Sequence, residues 1–70
     1  MAERLANLLK EARGEHQLTQ AELAARVGVS RKTINTIENG VFVPSALLAI
    51  RLARAFDRPV EALFYIEEDR

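Results

Sequence analysis

Apolar residues recur three and four positions apart along most of this chain, and alternating apolar and polar residues are nearly absent. That spacing is the period of a helix rather than of a strand. Leu5, Leu8, Leu9 and Ala12 predict a first helix over 2–15. Thr19 is a candidate N-cap with Glu22 three residues on, which is capping-box spacing, and it opens a second helix whose inner side is Leu23, Ala24 and Val27. Gly28 ends that helix. A third runs from its cap Ser30 to Asn39-Gly40, with Ile34 and Ile37 on one side. Ser45 caps a fourth, to Phe56, with Ala46, Leu47, Ile50, Ala53 and Phe56 facing inward. Asp57 and Pro59 then suit the start of a short fifth helix, over 59–64. Five short helices joined by short connections predict a compact all-α domain over 1–66, followed by an acidic tail, 67–70.

The third helix is unusual in its polar side. Arg31, Lys32, Thr33, Asn35 and Thr36 crowd it with hydrogen-bonding groups. The second and third helices form a unit, "TQAELAARVGVSRKTINTIENG". Counting Gln20 as the first position, Leu23 is fourth, Ala24 fifth, Val27 eighth, Gly28 ninth, Ile34 fifteenth and Ile37 eighteenth. A small residue suits the point where two helices cross closely. Glycine supplies the positive φ of a tight turn. The large apolar residues fill the angle between helices meeting at about 90–120°. This spacing fits a helix-turn-helix over 20–39. The polar flank of its second helix can then enter a DNA major groove, where Arg and Lys suit guanine, Asn suits adenine and the Thr methyl meets that of thymine. The helix N-termini at Gln20 and Ser30 favour phosphate.

Charge changes this picture modestly. The 70 residues carry no net formal charge, but residues 1–58 hold nine Lys/Arg against six Asp/Glu, and 59–70 hold Arg70 against Glu61, Glu67, Glu68 and Asp69. A weakly basic body thus precedes an acidic end. There is no Cys, and His16 is the only His, so neither a disulfide nor a thiolate or histidine metal site is available, and no cofactor is expected. No apolar run approaches the ~20 residues of a membrane span, and the charged first residues do not resemble a signal peptide, so a cytoplasmic location is expected. With no Gly-rich phosphate loop and little chain to enclose a substrate, an enzyme is not expected.

"LTQAELAARVGVSRKTINTIENG" resembles the core signature of prokaryotic helix-turn-helix regulators of the phage repressor and Cro type, and "PSALLAIRLARAFDRPVEALF" is similar to their fourth and fifth helices. The resemblance covers about residues 3–66 and is strongest to short, stand-alone members. It implies a five-helix, lambda-repressor-like fold. It also implies that Gln20 grips a phosphate and supports a recognition-helix side chain, and that Arg31, Lys32, Thr33, Asn35 and Thr36 face DNA. Asn39 would approach the backbone, and Arg13 would pair with Glu38 as a structural ion pair. Three positions depart from the pattern. Val41 stands where the family often has Lys or Arg, Val43 stands where a polar residue is usual, and Gln17 stands where Gly often precedes "LTQ".

The expected function is sequence-specific binding of double-stranded DNA, as a transcriptional repressor reading a near-palindromic operator. A homodimer is expected, because Leu63, Phe64, Tyr65 and Ile66 are too apolar for a free tail and suit an interface. The rival reading is a protein-interaction module on the same fold, an antitoxin or adaptor, docking through Val41–Val43 and the C-terminal apolar segment. No small-molecule effector is evident.

Overall fold

The computed structural model describes residues 2–69. Met1 and Arg70, the outer limits of the expected domain and tail, lie outside the described residues. The order is β1 (Ala2–Asn7), α1 (Leu9–Glu15), α2 (Gln20–Val27), α3 (Arg31–Glu38), α4 (Ala46–Ala55), a 3-10 turn (Val60–Ala62) and β2 (Phe64–Asp69). The expected five-helix, all-α architecture is therefore corrected, among the described residues, to four helices and a two-stranded sheet.

Both corrections fall at the chain ends, which meet. β1 and β2 pair antiparallel in the register Leu5↔Ile66, Ala6↔Tyr65 and Asn7↔Phe64. The helical spacing of residues 2–7 predicts the first helix there, and they form β1. Asn7 marks the break. Its Oδ1 accepts from the Leu9 N–H at 3.2 Å, and its Nδ2 donates to the Ile37 carbonyl at 2.9 Å. An Asn side chain that satisfies a backbone N–H two residues on replaces the previous helical turn. The Leu8 N–H then donates to the Leu63 carbonyl at 2.8 Å, leading the chain into the sheet. Phe64, Tyr65 and Ile66 favour strand, and pairing with them overrides the local helix preference of residues 2–7. The expected fifth helix shrinks to the 3-10 turn. The acidic end, expected as a tail, is likewise strand through Asp69, with Arg4 and Glu67 forming a cross-strand ion pair.

The core gathers Leu9, Ala12, Leu18, Leu23, Ala24, Val27, Ile34, Ile37, Leu48, Leu52, Ala53, Phe56, Leu63 and Phe64. Two expected core residues of α4, Leu47 and Ile50, are 60% and 46% exposed, and Ala46 is also exposed. The buried stripe keeps the expected Ala53 and Phe56 and adds Leu48 and Leu52. Leu8, expected inside, is also exposed. Asp57, expected to cap a helix start, follows the end of α4 with φ +54°, where its N–H donates to the Arg54 carbonyl. Leu63 and Phe64 belong to this core, so neither is available to a partner. No helix among the described residues is long and apolar enough to cross a membrane.

Candidate nucleic-acid interface

The helices around Gly28 build the site. Thr19 closes a reciprocal cap on α2: its Oγ1 accepts from the Glu22 N–H at 3.0 Å, and its own N–H donates to Glu22 Oε1 at 2.8 Å. Gly28 ends α2 with φ +78°, left-handed backbone that glycine adopts without a Cβ penalty. Ser30 then opens α3, accepting from the Thr33 N–H at 3.1 Å. Gly40, at φ +75°, closes it: the Gly40 N–H reaches the Ile37 carbonyl and the Val41 N–H that of Thr36, the paired bonds of a Schellman stop. α3 is thus a two-turn rod with both ends fixed.

Its two flanks differ completely. Ile34 and Ile37 are 0% and 1% exposed. Each contributes about 1.5–3 kcal/mol through burial, which is what holds so short a helix on the domain. Arg31, Lys32 and Asn35 are exposed on the other flank, and Thr36 is half-buried. Neither the Arg31 nor the Lys32 side chain makes an internal hydrogen bond or ion pair among the described residues. Thr36 donates its hydroxyl to the Thr33 carbonyl, leaving its lone pairs and methyl for other contacts. Among the described residues, the backbone N–H groups of Gln20, Ala21, Arg31 and Lys32 find no internal acceptor at the two helix starts.

Beneath this face lies a polar chain joining three helices. Arg13 of α1 grips Glu38 of α3 with two bonds, Nε to Oε2 at 2.6 Å and Nη2 to Oε1 at 3.0 Å. The side chains are only 15% and 5% exposed. Gln20 Nε2 donates to the same Glu38 Oε1 at 3.0 Å and to Asn35 Oδ1 at 3.2 Å. Burial acts to raise the Glu38 carboxyl, but hydrogen bonds from Arg13 and Gln20, with the charges of Arg13 and Lys10, outweigh it and hold it below its ordinary value. Glu38 is therefore an ionised acceptor at neutral pH.

Three residues singled out from sequence are more committed than their types suggested. The Ser30 and Thr33 hydroxyls lie 3.0 Å apart and bond to each other, and Thr33 is half-buried. The Asn39 N–H donates to the Asn35 carbonyl, so only the Asn39 side chain, which is exposed, can reach outward. Asn7, not considered from sequence, ties the β1–α1 junction to the end of α3. Its signal was a cap-type residue inside an otherwise helical pattern. Val41, Phe42 and Val43 in the following loop are all exposed, at 79%, 47% and 65%.

A helix-turn-helix family profile matches residues 9–63. The chain belongs to that helix-turn-helix family. It is 51% identical over 63 residues to an uncharacterized HTH-type transcriptional regulator of Methanothermobacter thermautotrophicus, covering 89% of this chain and 91% of that one. It is 41% identical to an uncharacterized HTH-type regulator of Bacillus subtilis, over 90% and 96% of the two chains. The ImmF control region 10 kDa protein of Bacillus phage phi105 is 40% identical over 50 residues, spanning 71% of this chain and 56% of the phage protein. The fold also matches the crystal structure of a Bacteroides fragilis protein, with a TM-score of 0.78 at 24% identity over 87% of this chain and 98% of that one. The matched profile spans α1 to the 3-10 turn and stops short of both strands.

Proposed function

We propose that this helix-turn-helix protein is a DNA-binding transcriptional regulator that represses, acting as a homodimer on a near-palindromic operator. The observation that carries this reading is the division of α3. One flank is fully buried through Ile34 and Ile37, and the other presents the Arg31 and Lys32 side chains exposed and, among the described residues, unpaired. An isolated surface charge is ordinary. Two of them at the start of a helix docked by its opposite face form the arrangement that reads base edges.

Arg31 and Lys32 then address guanine acceptors. Asn35 and the Thr36 methyl contact neighbouring bases. The free amides at the starts of α2 and α3, with the Asn39 side chain, hold phosphates. The half-buried Gln20 and Thr33, with Ser30, support that surface. Two copies related by a two-fold axis place their α3 helices about 34–36 Å apart, one turn of the duplex. Of the segment first considered for dimerisation, Tyr65 and Ile66 remain exposed, at 44% and 64%, and supply the apolar contact. Repression follows when such an operator overlaps a promoter.

Selection of bound duplexes from a random pool tests the reading directly. Two matching half-sites about one helical turn apart support it. Affinity for the selected duplex should fall by orders of magnitude between about 50 and about 200 mM salt. Recovery of no enriched sequence, with weak binding at both salts, refutes it.

A further inference from the structure

The two strands lie outside the matched family profile, and β1 carries a cation to the end of α3. The Asn7 side chain ties the end of β1 to the Ile37 carbonyl at 2.9 Å. Three residues upstream, Arg4 stands opposite Glu67 in the strand register. A cleft of about 240 Å³ separates the sheet from the end of α3, with Arg4 and Glu67 on one side and Asn39 and Gly40 on the other. Among the described residues that line it, Arg4 is the only cation.

Two carboxylates share this cleft. Glu38 is already neutralised by Arg13. Glu67 accepts from Arg4 Nε at 2.8 Å, but the two side chains are 74% and 43% exposed, so water screens the pair and leaves it weak. Glu3 and Glu68 oppose each other on the other face of the sheet, because successive side chains alternate. A duplex phosphate is a stronger partner for the guanidinium than an exposed carboxylate: it accepts the same forked bond and lies in a dense line of like charge. Asn39 is exposed beside the same cleft. Val41, the residue after Gly40, is 79% exposed and brings no charge where the family pattern often has Lys or Arg. We propose that Arg4 supplies the phosphate contact that Val41 lacks: with DNA in place, its guanidinium leaves Glu67 and takes the backbone phosphate that Asn39 approaches. Glu67 is the internal anion that this phosphate displaces. It lowers affinity for all sequences alike, because a phosphate contact carries no base information.

The inference rests on the placement of α3 in the groove. Its test is the affinity for a selected and an unselected duplex at about 50 and about 200 mM salt. The proteins are the wild type, Arg4→Ala, Glu67→Gln, the double variant Arg4→Ala/Glu67→Gln and Arg54→Ala, each first shown to be folded by its thermal transition. The double variant keeps the wild-type net charge, so its salt dependence reports a lost contact rather than a lost charge. In Arg4→Ala and in the double variant, the loss of affinity over this salt interval should be smaller than in the wild type by about 3.5-fold, one phosphate contact fewer. Glu67→Gln should bind both duplexes several-fold tighter, with the order of bases unchanged. Arg54 is exposed on α4 and lines a different cleft, so Arg54→Ala should keep the wild-type salt dependence. Wild-type salt dependence in the double variant, no gain in Glu67→Gln, or an equal change in Arg54→Ala overturns the proposal. Should the Arg4 variants fail to fold, Glu67→Gln decides alone, since it leaves Arg4 in place. A wild type that enriches no sequence refutes the placement of α3 and this contact with it. Steep wild-type binding with an unaltered double variant refutes the Arg4 contact alone.

Discussion

Gln17 and Asp57 occupy left-handed backbone, at φ +56° and +54°, just past the ends of α1 and α4. In each case the following N–H reaches back into the last turn: Leu18 to the Arg13 carbonyl and Arg58 to the Ala53 carbonyl. A side chain in this conformation costs about 1–2 kcal/mol, part of which glycine returns as unfolded-state entropy. Gln17→Gly is expected to stabilise the domain by roughly 0.5–1 kcal/mol, read from the urea midpoint. At the same scale, Arg31→Ala should cost roughly 1–3 kcal/mol in operator affinity and relax one base pair, as titration of single-base operator variants would show. Glu38 carries the pH dependence. Its carboxyl lies below the ordinary 4.5 in the folded state, so its contribution is complete above that value, fades as pH falls beneath it and is gone below the folded value. Glu38→Gln should therefore be less stable than the wild type at neutral pH and converge on it as pH falls below the ordinary carboxylate range and through the lowered folded value. Glu15, lowered by its bond from Arg58, and Glu22, lowered by the Thr19 N–H, titrate in both proteins and cancel from this comparison.

The elements separate by how local their causes are. α2 and α3 carry their own caps, stops and apolar stripes, and their limits follow from Thr19, Gly28, Ser30 and Gly40. α4 also carries its cap, Ser45, whose Oγ accepts from the Leu48 N–H. Its apolar residues nearly encircle it, however, so no single face could be selected by period alone. Packing chose the Leu48–Leu52–Phe56 stripe and left Leu47 and Ile50 outside. At the other end of the chain, the start of α1 depends on Asn7 reaching across to α3. Asn7→Ala should cost about 1 kcal/mol in a denaturation experiment. The loss stays modest because the Ile37 carbonyl keeps the Gly40 N–H as a donor.

At the scale of the molecule, the sheet closes the domain by joining its two ends. Phe64 is 6% exposed and anchors β2 in the core, whereas Ile66 stands two residues on and is 64% exposed. Phe64→Ala should remove about 3–5 kcal/mol, a large share of what a domain of this size has. Ile66→Glu should leave the urea midpoint nearly unchanged and weaken self-association, as sedimentation velocity over a concentration series would register. A variant that sediments like the wild type would remove Ile66 from the dimer contact.

The helix-turn-helix and its polar flank were legible in the chain because their causes act within a few residues. Caps, a left-handed glycine and a helical apolar stripe all act over one or two turns, and the side chains of α3 declare their chemistry by type. Three things waited for the folded chain. One is the sheet, which needs residues 2–7 beside 64–69 and overrides a helical pattern. Another is the buried side of α4. The last is the direction of the Gln20 and Asn35 amides, set by a carboxylate eighteen positions beyond Gln20. Amide orientation, strand pairing and burial depend on which groups meet across space, and that is decided by the packing of the whole domain.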